Sequence, residues 1–461
     1  MNAFPAISRI VVAGAALLAS LVSSLHADTR DDIQALREQI RQLDQKLRAL
    51  ELKQQVQDEQ ASAAKSAPKV SLTDKGYAIS SGDGANLIKF RTLVQLDSRL
   101  FFNDGGLVNN SFVLRRARLI SEGTFATIYS FQLVPEFGGT GAPSILDANF
   151  GVALSKALQF RFGRLKSPVG LELIQSDAGT FFAERSLATN LVPNRDLGVL
   201  ASGSILGDSV IYSAGILGGV ADGASSTNAD FDNDKDLVAR AYATPFKSRT
   251  DSPLQGLSVG VSGTLGRQKS ASGRTAGYKT DGQQTFFSYL PTVVADGRTW
   301  RVSPQGDYRC GPFGLLGEYV LSTVNVRPGA TGAKAELRNK AWQLAAGWVL
   351  TGEDSSFSGV TPKTDFNPAA GTWGAFEIAA RYANLKIDDA AFPLFASTSS
   401  NADEASSVGF GLNWYLSKVV LLKFDYHQTK FDFAPFAPAT PAAVLLRQDE
   451  KAFISRFQIA F

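Results

Sequence analysis

Apolar and polar residues alternate along most of the chain between Leu87 and Phe461. A period of two predicts β-strands that have one apolar and one polar face. The clearest runs are about ten residues long, which is the length that a tilted strand needs to cross a bilayer. They are RTLVQLDSRLFF (91–102), WGAFEIAARYANL (373–385) and EKAFISRFQIAF (450–461).

The alternation predicts sixteen strands, joined by linkers that are alternately short and long. An even number of antiparallel strands closes a barrel without an exposed edge, and short turns at one end with long loops at the other are typical of outer-membrane barrels. A water-soluble sandwich shows the same alternation, with its apolar face as the core. The strands are centred near residues 95, 118, 131, 150, 161, 202, 212, 240, 261, 304, 319, 344, 380, 411, 424 and 456.

The third long linker has no sustained strand period over about thirty residues after Lys166. Unstructured loops of this length are uncommon in compact domains and are usually functional. We predict that this loop folds into the barrel and narrows its pore. The alternative is a surface excursion of a soluble β-protein.

The first 27 residues have the pattern of a secretory signal peptide, with Arg9, an apolar run from Ile10 to Leu25, and Ala27 at the predicted cleavage site. The apolar run is shorter than the 18 or more residues expected of a spanning helix, although a retained membrane anchor is the alternative. Secretion, chain length and aromatic residues near the strand ends together favour a membrane barrel.

Residues 28–60 are rich in charged residues and Gln and follow a heptad pattern. Apolar residues spaced alternately by three and four predict a coiled-coil stalk, whereas a single amphipathic helix would show a wider apolar face. Residues 61–86 are predicted to be a linker, and residues 87–461 the barrel domain. The seam consists of Ile33, Leu36, Ile40, Leu43, Leu47 and Leu50.

Composition argues against several other classes of protein. The net charge is only +3, so no strong basic field indicates nucleic acid binding. The chain has one cysteine, Cys310, and two histidines, His26 and His427, which are too few for a metal site of three or four His or Cys ligands. No nucleophile elbow is present. We therefore expect neither an enzyme nor a cofactor.

Seven segments together resemble the phosphate-selective porin family, of the porin O and P type. The resemblance implies a sixteen-stranded trimeric porin of the outer membrane, with a constricting third loop, arginines along the path to the constriction and lysines within it. The coiled coil would then lie in the periplasm. Heptad residues alone lean weakly toward a dimer. The segments are FVLRRARL (112–119), GRLKSPVGLE (163–172), FFAERSLATNLVPNRDLGV (181–199), GEYVLS (317–322), WVLTGE (348–353), FEIAARYANL (376–385) and GLNWYLSKVVLLKFDY (411–426).

The family's arginine-rich second strand corresponds to Arg115, Arg116 and Arg118. Strict alternation places Arg116 and Arg118 on the lumen face and Arg115 on the lipid face or at the rim. Residues 167–199 contain no lysine, so the family's lysine site is not reproduced there, and Arg185 and Arg195 are the basic residues of this stretch.

The residues predicted to line the pore or bind anions are mostly arginines. Alternation gives eleven basic and five acidic lumen positions, an excess of about six positive charges, with half of the basic residues expected in structural pairs such as Glu377–Arg381 and Lys423–Asp425. The pore-lining or anion-binding set is Arg91, Arg99, Arg116, Arg118, Arg161, Arg185, Arg195, Arg240, Arg301 and Arg381. Further lumen positions are basic Arg309, Lys423 and Arg456, and acidic Asp97, Asp307, Glu318, Glu377 and Asp425.

Basic rings in a pore select for anions. The sequence therefore predicts a diffusion channel for small anions, with phosphate among them, in contact with outer-membrane lipid and assembled as a homotrimer. The alternative is a structural tether that joins the outer membrane to the cell wall through the stalk, with incidental permeability.

Overall fold

The computed structural model describes residues 29–102, 108–139, 141–269, 275–434 and 449–461. The chain divides into two compact units with a boundary between Ala67 and Pro68. The predicted signal peptide lies outside the described residues. Within the described part, no helix is both long and apolar enough to cross a membrane.

Helix α1 spans Thr29–Ser66 and leaves the predicted heptad seam exposed in the single chain. Ile33 is 52% exposed and Leu50 is 64% exposed. The helix continues six residues beyond the predicted end of the stalk at Gln60, into the predicted linker. This stretch contains neither Gly nor Pro, and helices usually end before the residue that precedes a proline, here Pro68.

The predicted linker also contains a β-hairpin, formed by β1 (Lys69–Thr73) and β2 (Gly76–Ser80). Strand β2 pairs with the beginning of β3 (Leu87–Phe102), so the hairpin extends the barrel sheet at the end that carries the short turns. The sequence did not predict this hairpin because its strands have only five residues each.

Sixteen antiparallel strands of the described residues form a closed barrel, and all sixteen predicted centres lie within them. Closure occurs where the last strand pairs with β3, placing Phe457 opposite Leu96 and Arg456 opposite Asp97. After β3 the barrel strands are β4 (Ser111–Phe125), β5 (Tyr129–Glu136), β6 (Ser144–Ala153), β7 (Gln159–Lys166), β8 (Arg195–Ile205), β9 (Val210–Leu217), β10 (Asp236–Ala243), β11 (Leu257–Lys269), β14 (Val293–Cys310), β15 (Phe313–Pro328), β16 (Ala335–Val349), β17 (Ala375–Lys386), β18 (Glu404–Tyr415), β19 (Val420–Asp432) and β20 (Asp449–Ala460).

The two faces of the wall differ as the alternation predicts. On β20, Phe457 is 41% exposed on the outer face, whereas Ile454 and Arg456 are fully buried on the inner face. Bilayer-facing side chains count as exposed in a single chain without lipid, so an exposed apolar outer face is the expected pattern for a membrane barrel.

Short elements occur within the linkers. The linker from β11 to β14 contains a small hairpin, β12 (Gly277–Lys279) with β13 (Thr285–Ser288), and the linker from β7 to β8 contains a four-residue helix, α2 (Leu171–Ile174). Two linkers at the short-turn end, 244–256 and 350–374, are too long for tight turns and depart from the predicted alternation of short and long linkers. The 3₁₀ turns are Leu187–Leu191, Pro368–Ala370 and Asp389–Ala391.

Candidate functional site

The third loop, residues 167–194 between β7 and β8, is hydrogen bonded to strands far from its own in the barrel order. The backbone N–H of Leu171 donates to Glu318 Oε2 on β15 at 2.7 Å, and that of Ala183 donates to Asp425 Oδ2 on β19 at 2.5 Å. Asn413 on β18 donates its side-chain amide to the Phe181 carbonyl at 2.9 Å. Polar side chains of the wall thus supply partners for a loop that has little regular structure of its own.

Apolar side chains of the third loop also pack in a buried cluster. Val169, Leu187 and Leu191 are completely buried and pack in one cluster with Phe286 and Phe287 of the linker that contains β13. Gly170 has a φ of 83°, a backbone conformation that favours glycine, and it leads directly into α2. The loop is therefore fixed by both apolar packing and hydrogen bonds.

Two buried carboxylates of the third loop lie among arginines of the wall. Asp177 contacts Arg116 Nη2 and Arg185 Nη1 through Oδ1, at 3.1 and 2.5 Å, and its Oδ2 contacts Arg118. Arg118 also pairs with Glu136 at 2.6 Å. Burial alone would raise the pKa of the Asp177 carboxyl, but Arg116, Arg185 and Arg118 hold it well below its ordinary value.

Glu184 is the second of these carboxylates and is 2% exposed. Arg115 forms two hydrogen bonds with it, from Nε at 2.6 Å and from Nη2 at 3.0 Å. Arg99 and Arg456 each reach Glu184 Oε1 at 3.0 Å. Burial would raise the pKa of Glu184, but Arg115 and Arg456 hold it well below its ordinary value. Both carboxylates are therefore ionised at neutral pH.

The position of Arg115 corrects a prediction. Gln95 pairs with Arg116 whereas Leu96 pairs with Leu114, so Arg115 is an extra residue in β4. Such a β-bulge interrupts the strict alternation and re-aims a side chain. Arg115 therefore faces Glu184 together with its neighbours, instead of facing lipid or lying at the rim.

Arg381 and Arg301 also make buried contacts with loops. Arg381 donates to Glu172 Oε1 of the third loop at 3.1 Å and to Asp281 Oδ1 at 2.7 Å. Arg301 pairs with Asp222 at 2.6 Å, at a separate place in the barrel.

The remaining predicted residues are dispersed. Arg195 pairs with Asp147 at 3.4 Å, Arg91 with Glu122 at 2.8 Å, and Arg240 lies 4.4 Å from the ring centre of Tyr242. Arg161 has no carboxylate within ion-pair distance among the described residues. The structure thus brings Arg99, Arg116, Arg118 and Arg185 together at two carboxylates. Arg381 reaches the same loop through the Glu184 carbonyl at 3.1 Å, and the other predicted residues lie elsewhere.

Both suggested wall pairs are wrong in the structure. Glu377 and Arg381 are four residues apart on one strand, so their Cα atoms are separated by about 13 Å. Glu377 instead accepts from Asn413 at 3.0 Å and from Tyr415 at 2.9 Å. Lys423 donates to the carbonyl oxygens of Thr180 and Phe182 in the third loop, while Asp425 accepts from Ala183.

Two arginines contact carboxylates that are distant in sequence instead of the acidic residues beside them. Arg185 contacts Asp177 and not Glu184, and Arg195 contacts Asp147 and not Asp196. Neighbouring residues in an extended segment point in opposite directions, so adjacency in sequence does not bring their side chains together.

Two cavities border the third loop. One, of about 260 Å³, is lined by Arg115, Arg116, Arg185 and Lys279, with Glu184 as its one acidic residue among the described positions. The other, of about 400 Å³, meets the loop at Ser176 and Ala178. Its charged lining residues are basic Lys75, Lys89, Arg91 and Lys418, and acidic Asp74 and Glu122.

Sequence reasoning missed three members of the site, namely Arg115, Glu172 and Asp177. The bulge at Arg115 leaves no mark in the sequence. The two acidic residues were detectable, since charges of both signs within the loop could have been counted along with the arginines.

Residues 88–444 match the family described as phosphate-selective porin O and P. The chain belongs to this family. As a porin of this type, it is an outer-membrane protein, and its family and fold point to a diffusion channel rather than an enzyme. The chain matches none of the curated proteins with which it was compared.

Solved outer-membrane porins share the fold of this porin at low sequence identity. The channel DcaP of Acinetobacter baumannii has a TM-score of 0.52 and 12% identity, with 82% of this chain and 98% of that chain covered. OmpT of Vibrio cholerae in its trimer form has a TM-score of 0.51 and 12% identity, with 82% and 100% covered. OmpF of Salmonella typhi, in complex with daunomycin, has a TM-score of 0.50 and 10% identity, with 82% and 98% covered.

Proposed function

We propose that this porin is a diffusion channel for small anions, phosphate among them, whose third loop crosses the lumen and narrows it. The contacts of the loop support its placement. A segment that joins β7 to β8 reaches Glu318 on β15 and Asp425 on β19 most directly through the barrel interior.

The observation that carries the anion preference is the charge around the two cavities beside the loop. Basic side chains outnumber acidic ones in each lining, whereas Asp177 and Glu184 are buried under several arginines each. Among the described residues, Lys75 and Lys89 have no carboxylate within ion-pair distance, while Arg91 and Lys418 pair with Glu122 and Asp74. A narrow passage with excess positive charge favours anions.

The test is a reversal-potential measurement in a planar bilayer, first with a potassium chloride gradient and then with potassium phosphate. Arg115→Gln with Arg185→Gln removes two of the cavity's positive charges and is expected to lower the ratio of anion to cation permeability. Lys156→Gln with Lys247→Gln, at the short-turn end, makes the same charge change away from the cavity and serves as the control. Cation preference of the unmodified channel would overturn the proposal.

Phosphate and chloride are expected to permeate with similar ease. Tight capture of phosphate requires several donors that converge and are free to bind it. Arg115, Arg116 and Arg185 do converge, but each already donates to or pairs with Glu184 or Asp177. A phosphate ion would therefore compete with a buried carboxylate for each guanidinium.

We also propose that the mature chain begins after Ala27 and assembles as a homotrimer through a coiled coil of α1. The exposed seam supports this, because Ile40 and Leu43 are 59% and 64% exposed in the single chain and would be buried by self-association. One of the similar structures is described as a trimer form. Cross-linking in mild detergent that yields monomer alone would contradict the trimer.

The second candidate function is a structural tether that joins the outer membrane to the cell wall through the stalk. Arg37 and Arg41 on α1 are exposed and available to anionic polymers, whereas Arg48 pairs with Asp44 at 3.1 Å. Deleting Thr29 to Gln60 separates the two functions, since a channel keeps its conductance without the stalk and a tether loses its attachment. Absence of conductance in the intact protein would leave the tether as the better account.

A further inference from the structure

A group of basic residues lies on the outer face of the wall, away from the lumen. Arg267 on β11, Arg298 on β14, and Lys340 on β16 are exposed at the end that carries the long loops, with Lys386 beside them on β17. We call these four residues the rim patch. Leu265 and Trp342 lie two residues from Arg267 and Lys340 on the same outer face, and they are 45% and 39% exposed.

The patch consists of two like-charge pairs across neighbouring strands. Arg267 lies directly opposite Arg298, and Lys340 directly opposite Lys386. Like charges in directly opposed positions destabilise a sheet. The Arg267–Arg298 pair has no carboxylate partner among the described residues, so an anion that lies between the two side chains would stabilise it.

Protein carboxylates do not neutralise most of the patch. Nearby Arg327 and Arg338 pair with Asp296 and Glu336, each at 2.8 Å. Lys386 pairs with Asp403 at 2.8 Å, with Asp389 at 3.4 Å and with Glu404 at 3.6 Å. No acidic side chain of the described residues lies within ion-pair distance of the other three members, Arg267, Arg298 and Lys340.

The position of the rim patch relative to the membrane interface indicates its partner. Trp342 and Tyr382 have ring centres 5.2 Å apart on the outer face, and such aromatic girdles lie at the interface between hydrocarbon and headgroups. Lys340 lies two residues from Trp342 on the same face, toward the long loops, which places it at the level of the lipid headgroups. Lipid phosphates occur at that level, and guanidinium groups bind phosphate in a bidentate manner.

We propose that the rim patch binds the phosphate groups of an anionic lipid in the outer leaflet. Arg267 and Arg298 would hold one phosphate between them, and Lys340 would contact a second phosphate, while Lys386 stays paired with its own carboxylates. The proposal is independent of the solute that the lumen carries, because the patch faces away from it.

Native mass spectrometry of the intact protein tests the proposal. The probes are a glucosamine-based lipid with two phosphates and the same lipid after enzymatic removal of both phosphates. The unmodified protein is expected to retain the phosphorylated lipid. Arg267→Gln with Arg298→Gln and Lys340→Gln should retain it roughly a hundredfold less, since each of the three basic residues at an anionic lipid surface contributes roughly a factor of five.

The matched control is Lys156→Gln with Lys247→Gln and Arg249→Gln, which removes three exposed charges from the opposite end of the barrel. Arg267→Lys with Arg298→Lys keeps the charge without the bidentate geometry, and is expected to retain an intermediate amount. Heat-modifiable migration in gels checks that each variant is folded.

Four outcomes would overturn the proposal. They are equal retention by the unmodified protein and the triple variant, equal retention of the two lipids, displacement of the lipid by inorganic phosphate at the same concentration, and a changed oligomeric state of the triple variant without lipid. The third would assign the patch to free phosphate and the fourth to a neighbouring copy of the chain. Failure of the channel proposal is read separately, from bilayer conductance, which the rim variants should leave unchanged.

Discussion

Glu184→Gln provides the sharpest test of how the third loop is held. The carboxylate accepts two hydrogen bonds from Arg115 and one each from Arg99 and Arg456, at 2.6 to 3.0 Å. Breaking a buried ion pair by removing one partner costs about 3–5 kcal/mol. We expect the lower end, because Arg99 and Arg456 keep Asp97 as a second partner and Arg115 alone loses its carboxylate.

The loss of about 3 kcal/mol lowers the stability of the third loop in its position and not that of the barrel, because the hydrogen bonds between the wall strands are unchanged. The expected result is therefore a noisier open-channel current with transient higher conductance, as residues around Glu184 leave their position. Single-channel recording at constant voltage measures this. Glu122→Gln is the control, since its pair with Arg91 is more than a quarter exposed on both sides and is worth less than about 1 kcal/mol.

A double variant checks the cause. Adding Arg115→Gln to Glu184→Gln removes the uncompensated charge and should restore part of the quiet current, so that the two effects are not additive. Unchanged noise and conductance in Glu184→Gln would refute the reasoning, as would additive effects in the double variant.

Three further predictions concern assembly and transport. Deleting Glu450 to Phe461 should abolish heat-resistant oligomers, because each backbone group left unpaired in hydrocarbon costs several kcal/mol; normal oligomers on gels would contradict this. Deleting Thr29 to Gln60 should lower the temperature at which oligomers dissociate and leave single-channel conductance unchanged; equal dissociation temperatures would argue against the coiled coil. Micromolar phosphate should not block chloride current, and a block would reveal a dedicated phosphate site.

The strands of the barrel were predictable because their two faces lie in different environments. Lipid on one face and the packed interior on the other impose a strict period of two, as Phe457 and Arg456 illustrate, and that period is visible without any structure. The hairpin of β1 and β2 lacks such a signal. Leu72 of β1 is 77% exposed, so no buried face imposes a pattern on these short strands.

The charges of the interior were predictable only in part. Alternation identifies basic residues on strands, and Arg99, Arg116 and Arg118 were found in this way. It does not count loop residues, and within the described part of the chain seven acidic residues outside the strands are buried. The predicted excess of about six positive charges therefore does not hold for the described interior as a whole. The seven acidic residues are Glu172, Asp177, Glu184, Asp222, Asp281, Glu353 and Asp403.

The bulge in β4 has a consequence for comparing relatives of this chain. A single extra residue lets Arg115, Arg116 and Arg118 all reach the third loop, where an unbroken strand of the same length would offer alternate residues only. A relative that lacks this one residue keeps both faces when the gap is placed at position 115, whereas a gap placed elsewhere assigns the intervening residues to the wrong face. Alignments of this strand must therefore place insertions by hydrogen-bond register, because a shift of one position turns a lumen charge into a lipid-facing one.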